Sequence, residues 1–210
     1  MGLRTMDREE IFFLLRWLRA PLKTGAVRPS GRHLTRLIAD AVVDLAQDEW
    51  IVELGGGTGA VTRALIESGI APGRMVVLER DRALSEWLRR AFPEVTIVSG
   101  DALYLQRHLA SNNAGPVRRI VSSLPLLSLP RNQRNIILAE AFAVLEENGS
   151  LIQYSYGPSC PISRTMRNRL GIDAKRVGTA WSNLPPARVW EFGKQPSMQE
   201  SGTKQHQSAA

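Results

Sequence analysis

Apolar, β-branched segments alternate with helical segments between residues 50 and 156, and this alternation limits the fold more than any other feature. The strand patterns fall at 50–54, 74–79, 95–98, 118–123 and 149–156. The intervening patterns predict helices at 60–68, 82–91, 102–110 and 131–146. Gly149 is expected to stop the last of these helices. Repeated strand–helix units favour an α/β fold, with a parallel sheet covered by helices on both faces.

The pattern changes after Pro161. The pieces "AKRVGTAW" (174–181) and "ARVWEF" (187–192), separated by "SNLPP", predict an antiparallel pair at the edge of the sheet. From Lys194 onward almost no residue is apolar, which is typical of a disordered tail. We therefore expect a basic N-terminal extension, one globular domain and a tail, at 1–28, 29–193 and 194–210.

The segment "GGGTG" at 55–59 follows the first predicted strand of this region and precedes its first helix. A strand, a glycine turn and a helix are the usual frame of a nucleotide-binding loop. A phosphate-binding Walker loop ends in Gly-Lys-Ser/Thr, whereas here Gly59 is followed by Ala60. The spacing also differs from the Gly-x-Gly-x-x-Gly of dinucleotide-binding folds. The segment thus favours another ligand, and a tight turn without a ligand is the alternative.

Acidic residues lie at the ends of the first three predicted strands, as Glu53, Glu79 and Asp101. Because the carboxyl ends of parallel strands meet at one edge of a sheet, we expect these side chains near the glycine loop. An acidic residue such as Glu79, 20 positions after Gly59, can bind both hydroxyls of a ribose. Asp101 is placed where an adenine edge could be bound. The three positions therefore indicate a ligand with a nucleoside portion.

"VELGGGTG", "VVLERD" and "SGDA" resemble motifs I, II and III of the class I S-adenosylmethionine-dependent methyltransferases. The resemblance implies a Rossmann-like, mostly parallel sheet of seven strands with S-adenosylmethionine as the cofactor. It also implies that the glycines approach the methionine portion and that Glu53 holds its ammonium group, while the next helix N-terminus favours its carboxylate. The residues implied to contact the cofactor are Glu53, Gly55, Gly56, Gly57, Thr58, Gly59, Glu79, Arg80, Asp101, Ala102 and Ser123.

The fourth predicted strand ends in "SSLPLL" (122–127), where such enzymes normally bind the methyl acceptor. In the rRNA adenine dimethyltransferases, which the chain also resembles, this segment reads Asn-Leu-Pro followed by Tyr or Phe. Ser123 and Leu126 stand at the amide and aromatic positions. A flipped adenine needs an amide or carboxylate for its amino group and an aromatic ring to stack on. The sequence therefore argues against nucleic acid as the substrate.

Nearly the whole chain up to the tail resembles bacterial phospholipid N-methyltransferases of the soluble, peripheral type. The resemblance is carried by "LRAPLKTGAVRPSG", "IVSSLPLLSLP", "IQYSYGP" and "WSNLPPARVW". It implies stepwise methylation of phosphatidylethanolamine and its methylated derivatives toward phosphatidylcholine. Two alternatives stay open: an enzyme like the rRNA adenine dimethyltransferases, and a membrane-binding protein that keeps the cofactor fold as a scaffold.

Residues 7–20 form a predicted amphipathic helix, and between Arg16 and Arg36 there are six basic residues and no acidic one. The net charge of the chain is +7, and it contains no apolar run long enough to span a bilayer. These features predict that residues 7–36 lie on an anionic membrane, on the cytosolic face of the inner membrane. A single cysteine, Cys160, excludes a disulfide framework and suits a reducing cytosol.

Three residues are candidates for the methyl-acceptor side. Tyr154 and Tyr156 share one face of the fifth predicted strand, and tyrosine rings attract ammonium and methylated ammonium groups. His33 is a candidate base near the start of the helix that follows Ser30, although a lone histidine there is more often a surface residue. Neither paired carboxylates nor a set of metal-ligating residues stands out, so no metal is expected.

Overall fold

A computed structural model describes residues 29–42, 48–156, 159–183 and 186–195. The predicted amphipathic helix at 7–20 and the tail beyond residue 195 lie outside the described residues. The helices are α1 Pro29–Asp40, α2 Ala60–Glu67, α3 Arg82–Ala91, α4 Leu105–Ser111, α5 Arg131–Val144 and α6 Arg164–Leu170. The strands are β1 Trp50–Leu54, β2 Met75–Glu79, β3 Thr96–Ser99, β4 Val117–Ser122, β5 Leu145–Ser155, β6 Ile172–Ala180 and β7 Ala187–Lys194.

The strands form one seven-stranded sheet in the order β3-β2-β1-β4-β5-β7-β6. Strands β1 to β5 pair in parallel, and β7 is antiparallel to both β5 and β6. The predicted fold class is therefore confirmed, including the antiparallel pair. Because Ser155 pairs with Arg188 and Ala180 with Ala187, the β6–β7 turn lies at the edge where β1 to β5 end.

Helices cover both faces of the sheet and create two apolar cores. Helices α1, α2 and α3 contribute Ile38, Leu65 and Leu88 to one core. Helices α4 and α5 contribute Leu105 and Leu138 to the other. Side chains alternate between the faces along each strand, so a residue between two members of one core points toward the other core. This alternation places the side chain of Glu53, which lies between Val52 and Leu54, on the face covered by α1 to α3.

The start of α1 and the end of the domain differ slightly from the prediction. Helix α1 begins at Pro29, whereas the sequence predicted a helix that follows Ser30. Proline suits the first position of a helix for two reasons: its fixed φ matches the helix, and a backbone N–H at this position would have no partner within the helix. Lys194, predicted to begin the tail, belongs to β7, and its Nζ donates to the Leu145 carbonyl at 2.7 Å.

The largest boundary error concerns β5. The predicted helix at 131–146 ends at Val144, and β5 begins directly at Leu145. Gly149 therefore lies inside the strand and is not a helix stop. On β4, Val117 pairs with Leu145 and Arg119 pairs with Ser150. Strand β5 therefore contains extra residues between these two pairs. Such an irregularity breaks the alternation of apolar side chains, so the sequence pattern does not indicate where the strand begins.

Candidate functional site

The glycine loop at 55–59 joins β1 to α2 and turns through left-handed backbone conformations. Gly57 has φ 53° and Gly59 has φ 78°, a region that favours glycine. A Cβ on Gly59 would lie 2.4 Å from the Phe92 ring, whereas a Cβ on Gly57 would meet no atom within 4 Å. Gly59 thus allows close packing of the loop on α3, and Gly57 borders open space where a ligand can approach the backbone.

Glu79 at the end of β2 fixes this loop. Its Oε2 accepts the backbone N–H of Gly57 at 2.8 Å, and its Oε1 accepts the backbone N–H of Asp81 at 2.8 Å. Each carboxylate oxygen can accept more than one hydrogen bond, so both retain capacity for hydroxyl donors. The structure therefore brings together the glycine loop and Glu79, which the sequence placed in one site.

Asp101 follows β3 at the same edge. Its Oδ1 accepts the backbone N–H of Leu103 at 3.0 Å, and its Oδ2 lies 3.4 Å from Nη1 of Arg80. Arg80 and Asp101 thus form a partly exposed ion pair beside Glu79. Ala102 is 7% exposed and belongs to the α4–α5 core, so its side chain points away from the site and only its backbone can contribute there.

Glu53 is the deepest ionisable group of the site. Its side chain is fully buried, and Oε2 accepts the Thr62 hydroxyl at 2.6 Å. Among the described residues, Oε1 has no hydrogen-bond partner. Burial raises the pKa of Glu53 to about 8, against the opposing effect of the Thr62 hydrogen bond and with a smaller contribution from Glu79. A buried carboxyl group with one unsatisfied oxygen suits a cationic partner such as an ammonium group.

Tyr154 and Tyr156 meet at the end of β5. Their ring centroids lie 5.9 Å apart, and the rings are perpendicular. Burial raises the pKa of Tyr154, the neighbouring Tyr156 adds to this, and Ser123 opposes it. Ser123 and the Tyr154 phenol are thus close, although their geometry falls short of a full hydrogen bond. The structure brings Ser123 and both predicted tyrosines together on the face that also holds Glu53.

The segment after β4 offers no aromatic surface. Leu126 is 2% exposed and packs in the α4–α5 core. Gln153 on β5 holds this segment in place, since its Nε2 donates to the Leu124 carbonyl at 3.1 Å. The position that is aromatic in base-methylating enzymes is therefore filled by a core leucine, as the sequence indicated.

His33 lies on α1 at the rim of the site, and its Nδ1 is 3.3 Å from the Ser182 hydroxyl in the β6–β7 turn. The next residue, Asn183, hydrogen-bonds the Tyr156 phenol. The structure thus places the candidate base against this turn. Sequence reasoning missed Asn183, although its segment "WSNLPPARVW" had been singled out as distinctive.

No protein-family model matches the chain. Over 124 residues the chain is 33% identical to the ribosomal RNA small subunit methyltransferase A of Chlorobium luteolum, covering 56% of this chain and 43% of that protein. Over 111 residues it is 30% identical to the ornithine lipid N-methyltransferase of Singulisphaera acidiphila, covering 51% of this chain and 58% of that enzyme. The chain thus spans about half the length of the curated relatives it matches.

Solved structures match over most of the chain. The magnesium protoporphyrin IX methyltransferase of Synechocystis PCC 6803, with bound S-adenosylmethionine, has a TM-score of 0.63 at 14% identity, covering 92% of this chain and 100% of that one. A TehB-like S-adenosylmethionine-dependent methyltransferase from Corynebacterium glutamicum has a TM-score of 0.59 at 18% identity, covering 89% of this chain and 98% of that one. The chain therefore has the Rossmann-like fold of class I methyltransferases, and this prediction is confirmed.

Proposed function

We propose that the chain is an S-adenosylmethionine-dependent N-methyltransferase that acts on the amine of phosphatidylethanolamine and its mono- and dimethyl derivatives. One observation carries the choice of acceptor. Where base-methylating enzymes hold an amide and an aromatic ring, this chain has Ser123 and the core residue Leu126, and a pair of tyrosines lies beside Ser123. This arrangement suits a small alkyl ammonium group better than a flat base.

The cofactor side fits S-adenosylmethionine residue by residue. The open backbone at Gly57 suits the methionine portion, Glu79 the ribose hydroxyls, and Asp101 the adenine edge. The unsatisfied Oε1 of Glu53 suits the ammonium group. When bound, this cofactor supplies an electrophilic methyl group, which bonds to the amine nitrogen as the carbon–sulfur bond breaks and leaves a neutral thioether.

The acceptor side must receive a cation and present a neutral amine. An ethanolamine ammonium resembles a lysine, whose reference pKa is about 10.4, so a proton has to leave for solvent before the nitrogen can react. The perpendicular rings of Tyr154 and Tyr156 attract the ammonium form and its methylated products, by about 2 kcal/mol for a desolvated contact. Holding the nitrogen in line with the methyl donor lowers the barrier further.

A membrane surface is the proposed location of the substrate. Trp181 in the β6–β7 turn is 73% exposed and Leu127 is 55% exposed, and both follow strand ends at the site edge. Tryptophan prefers the interface between headgroups and acyl chains. Arg32 and Arg36 on α1 are exposed, and a basic residue near an anionic surface contributes about 1 kcal/mol. In the described part of the chain, no helix is long and apolar enough to cross a membrane. The exposed tryptophan and arginine side chains support the proposal that the chain binds a membrane surface, on the cytosolic face of the inner membrane.

An rRNA adenine N-methyltransferase is the second candidate. Its support is the 33% identity to a ribosomal RNA small subunit methyltransferase A over 124 residues. Against it stand the missing amide at Ser123 and the buried Leu126.

The test is methyl transfer from labelled S-adenosylmethionine to three acceptors in parallel. They are phosphatidylglycerol vesicles containing phosphatidylethanolamine, the same vesicles containing ornithine lipid, and unmethylated small-subunit rRNA. Vesicles of phosphatidylglycerol alone are the matched control, since they bind the protein but offer no amine. We expect label in mono-, di- and trimethylated phosphatidylethanolamine.

Each other result rejects the proposal in a different way. Label in ornithine lipid alone would keep a lipid amine as acceptor and replace the headgroup. Label in RNA alone would support the second candidate. Cofactor and vesicle binding without any transfer would identify a membrane-binding scaffold on a methyltransferase fold.

A further inference from the structure

The β6–β7 turn carries a buried amide whose oxygen has no partner. Asn183 is 9% exposed, its side chain hydrogen-bonds the Tyr156 phenol, and its Oδ1 accepts no hydrogen bond from any described residue. Because Oδ1 has no partner among the described residues, the amide nitrogen of Asn183 is the group that donates to the phenol. The carbonyl oxygen of Asn183 is therefore left over, next to the tyrosine pair.

Contacts of residues 182 and 183 position this amide. The backbone N–H of Asn183 donates to the Ala180 carbonyl at 3.2 Å, and the preceding Ser182 lies 3.3 Å from His33 on α1. A buried oxygen without a partner costs about 1–3 kcal/mol, and a bound ligand or an ordered water that donates to it removes this cost. Next to Tyr156, the N–H of a bound amine can act as this donor.

We infer that Oδ1 of Asn183 accepts an N–H of the substrate amine and orients its nitrogen toward the methyl donor. This inference rests on the proposed function. Relatives that methylate bases take an amide from the end of the fourth strand, where this chain has Ser123. Here the β6–β7 turn, distant in sequence, supplies the amide at the same edge of the sheet. Asn183 is thus a catalytic residue that touches substrate, with Tyr156 as its anchor.

The inference predicts an effect that depends on the number of methyl groups already present. A neutral primary amine has two N–H groups, its monomethyl derivative has one, and its dimethyl derivative has none. In the neutral form that reacts, only the primary amine and its monomethyl derivative can therefore donate an N–H to the Asn183 oxygen. A residue that merely supported the turn would affect all three methylations equally.

The experiment compares Asn183→Ala and Asn183→Asp with wild-type protein and with the control Asn168→Ala, whose side chain is exposed on α6. Initial rates are measured on phosphatidylglycerol vesicles containing phosphatidylethanolamine or its monomethyl or dimethyl derivative. Calorimetric affinity for S-adenosylmethionine reports whether the cofactor side of each variant is intact. The aspartate variant has the same shape as asparagine, so it tests the inference even if the alanine variant unfolds.

For Asn183→Ala we expect kcat/KM to fall about tenfold on the first two lipids and less than about twofold on the dimethyl lipid. For Asn183→Asp we expect the rise of kcat with pH to move to higher pH, because the carboxylate stabilises the protonated amine. Affinity for S-adenosylmethionine should match that of wild type in both variants.

Equal losses on all three lipids, no loss relative to Asn168→Ala, or an unshifted pH profile for Asn183→Asp would overturn the inference alone. A wild-type protein that labels RNA and no lipid would overturn the proposed function, and the inference with it. The two failures are therefore distinguishable from the wild-type rates.

Discussion

The two halves of the site are built in opposite ways. In the cofactor half, the glycine loop, Glu79 and Asp101 follow consecutive parallel strands and are tied by hydrogen bonds to nearby backbone. In the proposed acceptor half, Tyr156 and Asn183 come from distant segments, and the carbonyl oxygen of Asn183 has no hydrogen-bond partner among the described residues. The first half is held by its own hydrogen bonds, whereas in the proposed acceptor half a substrate would supply the donor that this oxygen lacks.

The largest effect is expected in the cofactor half, where Glu53 should make the stability of the folded chain depend on pH. Its pKa is raised from 4.5 to about 8 in the folded chain, so the folded chain binds the proton of this carboxyl group more tightly than the unfolded chain does. This proton binding stabilises the folded state fully below pH 4.5, and the stabilisation is lost as the pH rises to about 8. The free energy of unfolding changes by about 5 kcal/mol over this range. Glu53→Gln should therefore unfold at increasingly higher denaturant concentration than wild type as the pH rises.

Urea unfolding at pH 5 and pH 9 measures this difference. Glu67→Gln is the matched control, because Glu67 is exposed at the end of α2. A difference between Glu53→Gln and wild type that stays constant with pH would contradict the prediction.

Cofactor affinity should depend on Glu79 more than on any acceptor residue. Glu79→Ala removes the acceptor of the Gly57 and Asp81 N–H groups and the proposed ribose contacts. Since each hydrogen bond to a charged group contributes about 1.5–3 kcal/mol, we expect the Kd for S-adenosylmethionine to rise by about 100-fold or more. Calorimetry checks this, with Glu86→Ala on the exposed side of α3 as control. A change below threefold would remove Glu79 from the cofactor half.

Replacing the Tyr156 ring should affect the acceptor half alone. Tyr156→Leu should lower kcat/KM on phosphatidylethanolamine vesicles about 30-fold, the equivalent of one cation–π contact of about 2 kcal/mol. Tyr156→Phe keeps the ring face and loses only the phenol that contacts Asn183, so its loss should be smaller. Affinity for S-adenosylmethionine should be unchanged in both. Equal losses in the two variants would mean that the hydroxyl, and not the ring, binds the substrate.

The smallest effect is expected at the rim of the acceptor half. Trp181→Ala removes a side chain that is 73% exposed, and we expect vesicle binding to weaken several-fold without a change in cofactor affinity. Sedimentation with phosphatidylglycerol vesicles measures this. Trp87→Ala is the control, since Trp87 is 39% exposed on α3. Similar binding by both variants would show that Trp181 does not face the membrane.

The sequence predicted that the glycine loop and Glu79 meet at one edge of the sheet, because the signals for this arrangement are local. A strand, a glycine loop and a helix follow one another directly, and an acidic residue at a strand end reaches the same edge in any parallel sheet. The sheet, its antiparallel pair and the clustering of the loop with Glu79 and Asp101 therefore followed from short patterns. The errors lie where local signals conflict, as at β5, whose irregular start was read as helix.

The acceptor half was decided by the tertiary structure. Tyr154 and Tyr156 were identified from their chemistry, but only the reversal of β6 and β7 places Asn183 against Tyr156 and Ser182 against His33. Burial, which no short pattern reports, raises the pKa of Glu53 and leaves the Asn183 oxygen without a partner among the residues that the structure describes. The sequence by itself thus determined the frame and the cofactor loop, because both depend on neighbours along the chain. Contacts between segments far apart in sequence, and the exclusion of water around them, determined the rest.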